Sequence, residues 1–286
     1  MLLNDAINKF TYHLTITNKS KETIKSYTSD LTAFEHFLEW KYNCAVYLSD
    51  VTMVDIDDYL YELKKKKLSS ASRSRQIYTF RSFWSYLYKN KFCEWNIAMS
   101  IEPIKIQRTE RTFLSSEEAH ALINAIEHPL IKTVVQTLFY TGLRISECLN
   151  LKVKDVDIEN KVIHIINGKG SKNRDIPINV NLLSILKNYV ETYKCSIKSN
   201  YFFATEKSGS LSAPYVNRVL NDTAHTLGWK KHVSAHILRH SFASNLIKNG
   251  VNLVYVQKLL GHSNLKVTSI YTHANMDDLN KCINVL

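Results

Sequence analysis

The side chains best suited to chemistry in this 286-residue sequence are basic and concentrate in its carboxyl-terminal half. His236 and Arg239 lie three residues apart, so they share one face of a helix that is predicted to begin near Ser234. A helix amino terminus favours anions, and an arginine can hold two oxygens of one phosphate at the same time. The segment 234–243 therefore predicts a site that binds a phosphate group.

Further candidates for chemistry lie on both sides of this segment. Arg144 stands upstream in residues 141–147, and Lys169 lies on a predicted β-hairpin. His262 and Tyr271 follow downstream, nine residues apart. Imidazoles and a lysine can transfer protons, and a phenol can attack phosphorus. Together these residue types predict phosphoryl transfer.

Composition indicates a polyanionic partner, because Lys and Arg exceed Asp and Glu by 37 to 26 and the net charge is +11. The seven glycines spell no nucleotide-binding motif. The sequence has no signal peptide pattern and no run of about 18 apolar residues, so we expect no membrane association. Five cysteines without a C-x-x-C pair are typical of reduced thiols. We expect a cytoplasmic, nucleoid-associated protein.

Hydrophobic periodicity predicts a mainly α protein with a small β component (α+β) in two domains. Residues 1–100 show four helical stripes, so we expect a four-helix domain there. The third long stripe consists of Ile77, Phe80, Phe83, Trp84 and Leu87. Residues 101–112 contain a proline and mixed charges without a helical stripe, and we predict that they are a linker.

The second predicted domain, residues 113–286, begins with a capping box formed by Ser115 and Glu118. Helices are predicted over 116–127, 130–141 and 144–151. The apolar period then changes from 3.6 to 2 over residues 156–178, which indicates short strands and an antiparallel hairpin with its turn at 167–170. Helical spacing returns after residue 180.

Four segments resemble the motifs of tyrosine site-specific recombinases, the phage integrase and Xer family. They are Arg144-Ile-Ser-Glu147, His236-Ile-Leu-Arg239-His240, Leu260-Gly-His262 and Tyr271. Their order and spacing match the family across residues 113–275, and the amino-terminal half more loosely resembles its helical core-binding domain. The resemblance implies that the two domains close as a clamp around duplex DNA.

The resemblance also implies a role for each matching residue. The implied catalytic residues are Arg144, Lys169, His236, Arg239, His262 and Tyr271. Tyr271 would attack the scissile phosphate, forming a 3′-phosphotyrosine and freeing a 5′ hydroxyl. The arginines would hold the phosphate, Lys169 would protonate the leaving oxygen, His236 would accept the tyrosine proton, and His262 would donate a hydrogen bond. Glu147 and His240 would support these groups, and no metal or cofactor is implied.

Some residues allow other interpretations. His236 and His240 have the i, i+4 spacing of zinc ligands, although a zincin motif requires glutamate where Ile237 stands. Lys172 and Arg174 are alternatives to Lys169 on the same hairpin. Basic residues that could contact DNA elsewhere are Lys67, Arg73, Arg75, Arg81, Lys172 and Arg174.

The resemblance implies four protomers on two inverted-repeat core sites, a Holliday-junction intermediate and possible accessory DNA-binding proteins. We expect resolution of chromosome or plasmid dimers or of cointegrates, with phage- or transposon-type integration and excision as the alternative. A type IB topoisomerase and a non-catalytic DNA-binding regulator are further alternatives. Residues 277–286 carry a short apolar stripe at helical spacing. The resemblance implies that this tail docks into a neighbouring catalytic domain and links protomers, and the alternative is that it folds back on its own domain.

Overall fold

The structure, a computed structural model, describes residues 1–106, 112–166 and 173–261. The chain divides into two compact units, Met1–Thr109 and Glu110–Leu286. Helices dominate the described residues of both units, and the described strands form one small antiparallel sheet. This architecture confirms the predicted mainly α fold with a small β component. No helix in the described ranges is long and apolar enough to cross a membrane.

The described part of the first unit contains the four expected α-helices. They are α1 (Leu3–Ile16), α2 (Lys21–Tyr42), α3 (Met53–Lys65) and α4 (Ser70–Lys89). Ser20 and Ser69 precede α2 and α4, and each hydroxyl accepts a hydrogen bond from the backbone amide three residues later. Such caps satisfy amides that have no partner within the helix, which explains where α2 and α4 begin.

The apolar stripe of α4 forms the centre of the first unit's core. All five of its predicted residues, Ile77, Phe80, Phe83, Trp84 and Leu87, are buried. Phe34 of α2 meets Phe80 edge-on, with ring centroids 4.9 Å apart. This edge-to-face geometry is favourable because the positive edge of one ring faces the negative face of the other. Beyond α4, residues 101–106 form neither helix nor strand, and 107–111 lie outside the described residues.

The second unit begins with the predicted capping box. The Ser115 hydroxyl accepts a hydrogen bond from the Glu118 amide at 3.2 Å, and the Glu118 carboxylate accepts one from the Ser115 amide at 3.0 Å. The helices that follow are α5 (Ser116–Ala125), α6 (Pro129–Thr141), α7 (Ile145–Asn150), α8 (Val180–Thr192), α9 (Ala213–Thr226), α10 (Ala235–Lys248) and α11 (Leu253–Leu260).

Between α7 and α8 lies a three-stranded sheet, the one sheet among the described residues. Its strands are β1 (Val156–Asp157), β2 (Val162–Ile165) and β3 (Arg174–Pro177), in the order β1-β2-β3 with antiparallel neighbours. Ile163 pairs with Ile176, and Ile165 pairs with Arg174. Side chains alternate between faces along β3, so buried Ile176 and half-buried Arg174 share the inward face.

Helix α6 lies at the centre of the second unit and packs against α10. Leu130, Ile131, Val134, Val135 and Leu138 of α6 are all fully buried. Burying one such side chain contributes about 1.5–3 kcal/mol. α10 is also largely buried, and its buried residues include the charged Arg239 as well as apolar ones. The core therefore fixes α10, which carries Arg239, and the end of α6, from which a short turn leads to Arg144.

Candidate active site

The turn that follows α6 leads the chain to Arg144, one of the two predicted phosphate-binding arginines. Gly142 ends the helix with a φ of +63°, a left-handed conformation that glycine adopts without steric cost. A Cβ atom at this position would lie 2.3 Å from Cδ1 of Phe242 on α10, which is far too close. Glycine therefore permits both the turn and the tight packing of α6 on α10. Arg144, two residues later, is the N-cap of α7.

Glu147, in the first turn of α7, lies between two arginines. Its Oε1 accepts a hydrogen bond from Nη1 of Arg144 at 2.6 Å, and its Oε2 accepts one from the Arg144 amide at 2.9 Å. Arg174 of β3 donates to both carboxylate oxygens, from Nη1 at 3.1 Å and from Nη2 at 2.7 Å. The carboxylate thus accepts a two-pronged contact from Arg174 while it orients Arg144.

These hydrogen bonds control the ionisation of Glu147. Its side chain is only 8 % exposed, and burial by itself would raise the pKa of the carboxyl group. The hydrogen bonds from Arg174 and Arg144, together with the charge of Arg174, outweigh burial and lower the pKa to about 2. Glu147 is therefore a carboxylate at every physiological pH.

Arg239 is held by two backbone carbonyls from distant segments. The residue is 4 % exposed, and its Nη1 donates to the carbonyl oxygen of Gly142 at 2.7 Å. Its Nη2 donates to the carbonyl oxygen of Leu260 at 2.8 Å. These contacts fix the guanidinium at the turn that leads to Arg144. The fold therefore brings the two predicted phosphate-binding arginines to the same end of α6.

The carboxyl end of α11 contacts both Arg174 and Arg239. Nε of Arg174 donates to the carbonyl oxygen of Leu259 at 3.0 Å, one residue before the carbonyl that Arg239 contacts. Two guanidinium groups thus lie at the negative end of the α11 dipole, where cations are favoured. Gly261 follows with a φ of +65°, and a Cβ atom there would lie 3.0 Å from Cδ of Arg174. Glycine leaves room for that side chain.

The two histidines of α10 have different environments. His236 lies in the first turn and is exposed. The start of the helix is fixed by Asn217 of α9, whose side-chain oxygen accepts a 2.9 Å hydrogen bond from the Ala235 amide. His240, one turn later, is buried, and its ring meets that of Phe113 nearly at right angles with centroids 6.4 Å apart. Across residues 1–106, 112–166 and 173–261, no group of three or more metal-ligating side chains occurs.

Four predicted site residues lie outside the described residues: Lys169, Lys172, His262 and Tyr271. The described chain leads directly to the segments that contain them. Ile165 and Arg174 are the last pair of the β2–β3 ladder before the segment with Lys169 and Lys172. Gly261 immediately precedes His262. The roles of all four residues remain predictions.

The three arginines among the DNA-contact candidates of the first unit have side-chain contacts within the protein. Arg75 pairs with buried Asp30, with Nη2 2.8 Å from Oδ1, yet its side chain is 47 % exposed. Arg81 donates to the carbonyl oxygen of Ile101. Arg73 donates from Nε to the carbonyl oxygen of Leu68 at 3.3 Å, and Lys67 is exposed just beyond α3. Their contacts with DNA remain a prediction.

Sequence reasoning did not identify the contact between Arg174 and Glu147. The sequence predicts Arg174 as a DNA contact or as an alternative to Lys169, whereas the structure places its guanidinium on the Glu147 carboxylate with the side chain 12 % exposed. The alternation of β3 was the available signal. Arg174 is two residues from Ile176, so both side chains point to the same inward face.

Comparisons with known proteins agree with this architecture. Residues 112–278 match the phage integrase family, and residues 7–91 match the phage integrase N-terminal SAM-like domain. The tyrosine recombinase XerC of Oceanobacillus iheyensis is 33 % identical over 285 residues, covering 96 % of this chain and 92 % of the relative. A tyrosine recombinase of Pseudothermotoga lettingae is 32 % identical over 279 residues, covering 95 % of this chain and 96 % of the relative.

A solved structure shows the same fold. The XerH site-specific recombinase, in a post-cleavage complex with a palindromic difH substrate, superposes with a TM-score of 0.74. It is 24 % identical, and the match covers 94 % of this chain and 81 % of that one. The chain belongs to the phage integrase family and is a tyrosine recombinase, an enzyme of site-specific DNA strand cleavage and rejoining. The family resemblance inferred from the motifs is thereby confirmed.

Proposed function

We propose that Arg144 and Arg239 hold the scissile phosphate of one DNA strand while Tyr271 attacks it. The observation that carries this proposal is the anchoring of both arginines around the turn at Gly142, through Glu147 for Arg144 and through backbone carbonyls for Arg239. Guanidinium groups fixed before the reaction stabilise the charge of the transition state without reorganising. The buried core beneath them keeps that arrangement rigid.

The reaction then follows from the chemistry of the predicted residues. The phenol oxygen of Tyr271 forms a bond to phosphorus as its proton passes to His236. The bond from phosphorus to the 5′ oxygen breaks, and Lys169 donates the proton that this oxygen needs. His262 donates a hydrogen bond to the phosphate. The ester preserves the bond energy, so attack by a 5′ hydroxyl of the partner duplex rejoins the strands without a nucleotide cofactor or metal.

The partner in this proposal is duplex DNA with an inverted-repeat core site. The net charge of +11 suits a polyanion, and the DNA complex of XerH, a protein of the same fold, gives a precedent. Two sites bring four protomers together, exchange strands through a Holliday junction and can recruit accessory DNA-binding proteins. Lys67, Arg73, Arg75, Arg81 and Lys172 are the proposed further DNA contacts. The reaction takes place in the cytoplasm, at the nucleoid.

Similarity to XerC proteins over nearly the whole chain favours resolution of chromosome or plasmid dimers or of cointegrates over integration and excision. A plasmid carrying two candidate sites as direct repeats distinguishes resolution from simple relaxation. Resolution yields two circles and needs both sites. A product set of relaxed circles from a plasmid with one site would contradict the proposal and indicate a topoisomerase.

Covalent capture tests the chemical step. A nicked half-site substrate traps the protein on DNA because the short cleaved strand diffuses away. Wild type is expected to form a denaturation-resistant adduct, and Tyr271→Phe is expected to bind the half-site but form none. The adduct should also form in excess EDTA, because arginines and a lysine meet the phosphate charge. An adduct with Tyr271→Phe would show that another residue is the nucleophile.

A further inference from the structure

The charges around Glu147 do not balance within the described site. One carboxylate, 8 % exposed, contacts two guanidinium groups, those of Arg144 and Arg174. Together the three side chains carry one net positive charge. Arg144 is 27 % exposed and Arg174 is 12 % exposed, so the more accessible cation is the one predicted to bind phosphate.

We infer that Arg174 is a positioning residue that neutralises Glu147 and so preserves the positive charge of Arg144 for the phosphate. This inference rests on the proposed function. With Arg174 in place, Glu147 orients Arg144 through two hydrogen bonds while its charge is balanced by the second arginine. Without Arg174, the carboxylate and Arg144 form an isolated pair of zero net charge.

The geometry favours Arg174 as the neutralising partner. Its two terminal nitrogens each contact a different carboxylate oxygen, whereas Arg144 reaches the carboxylate with one side-chain nitrogen and its amide. The remaining Nε of Arg174 donates to the carbonyl of Leu259. All three nitrogens of the Arg174 guanidinium thus contact the protein. Charges interact strongly in the low dielectric of a buried site, so removing one charge from this cluster strongly affects the remaining two.

Residue substitutions separate this charge effect from a purely structural one. Adduct formation on a nicked half-site is measured at saturating protein, and half-site affinity is measured separately. The variants are Arg174→Gln, Glu147→Gln and the double variant, with Arg218→Gln as a matched control. Arg218 is exposed on α9, so the control removes one arginine charge elsewhere in the same unit.

We expect Arg174→Gln to slow adduct formation about tenfold or more, with less change in half-site affinity. The double variant with Arg174→Gln and Glu147→Gln should form the adduct at least about fivefold faster than Arg174→Gln alone, since coupled neighbours give non-additive effects. Arg174→Lys keeps the charge and should retain most of the rate even where Arg174→Gln folds poorly. The control should react at the wild-type rate.

A double variant as slow as Arg174→Gln, or an Arg174→Lys variant as slow as Arg174→Gln, would overturn the charge role and leave only a packing role. An Arg174→Gln variant that reacts like wild type would overturn any positioning role. An adduct that forms with wild type but not with Tyr271→Phe would support the proposed reaction, whatever the results for Arg174. An inactive wild type would instead overturn the proposed function, and the inference with it.

Discussion

Arg239 donates a 2.7 Å hydrogen bond to the carbonyl oxygen of Gly142, which lies 97 residues earlier in the chain. The acceptor belongs to the C-cap residue of α6, and the donor is a buried guanidinium of α10. One contact therefore sets the position of one predicted phosphate-binding arginine relative to the turn that presents the other. Changes at either end of this contact should alter the site in measurable ways.

Replacing Arg239 with lysine should impair chemistry more than DNA binding. Lysine keeps the charge but cannot reach both the Gly142 and Leu260 carbonyls with a planar fork, so the ammonium group is not held in place. We expect the rate of adduct formation to fall about 100-fold, as for loss of one preorganised donor. Gel-shift affinity for the half-site should change little. Equal losses of affinity and rate would indicate that Arg239 acts mainly in binding.

Gly142→Ala should destabilise the second unit through a clash. The left-handed backbone alone costs an L-residue about 1–2 kcal/mol, and contact of the new Cβ with Phe242 adds to this cost. Gly250→Ala is a matched control, because Gly250 also has positive φ, +78°, but a Cβ atom there would meet no other atom within 4 Å. Urea denaturation should show the larger loss for Gly142→Ala. Equal losses would mean that backbone strain is the whole effect.

Glu147 should make stability depend on pH. The folded pKa of about 2 lies below the unfolded value near 4.3, so its contribution is present above the unfolded pKa and is lost as pH falls towards 2. A shift of this size corresponds to about 3 kcal/mol. Denaturation of wild type and Glu147→Gln should therefore differ more at pH 7 than at pH 3. A difference independent of pH would contradict a contribution from the ionised carboxylate.

DNA binding should weaken steeply with salt. A protein that contacts 6–10 phosphates loses about 10³–10⁵ in affinity between 50 and 200 mM salt, because binding releases counterions. Titrations of a full core site by fluorescence anisotropy measure this slope. If the exposed side chain of Arg75 contacts the DNA backbone, Arg75→Gln should reduce the slope of log affinity against log salt concentration by about 1. A flat salt dependence would contradict wrapping of the duplex by basic residues.

Truncation after Met276 should uncouple the protomers. The removed residues 277–286 include Leu279, Ile283 and Leu286 at helical spacing, an apolar stripe that requires a partner surface. We expect normal binding to one half-site but loss of cooperative binding and of recombination. The same truncation recombining at the normal rate would contradict a role for the tail between subunits. Thermal melting of the truncated protein serves as the control for folding.

Local features of the fold were predictable from sequence, and long-range contacts of the site were not. The Ser115–Glu118 capping box and the stripe from Ile77 to Leu87 involve near neighbours, so residue type and spacing determine them. Arg174 and Glu147 are 27 residues apart, and their contact depends on how β3 packs beside α7. The alternation along β3 indicates that Arg174 faces inward, but it does not indicate which residue Arg174 meets there. The motifs identified Arg144 and Arg239, but not the carbonyls that hold Arg239.

The anchor of Leu114 to α10 has a consequence for synthesis on the ribosome. Its amide donates to the Ser241 hydroxyl at 2.8 Å, and its carbonyl accepts from Asn245 at 3.2 Å. All four α-helices of the first unit have been synthesised once the ribosome has passed Lys89. In the second unit, Leu114 lacks its partners Ser241 and Asn245 until α10 has been made. At about 5–20 residues per second, the nascent second unit waits many seconds with its α6 core incomplete. The order of translation should therefore leave apolar surface of the catalytic half exposed until α10 has been made.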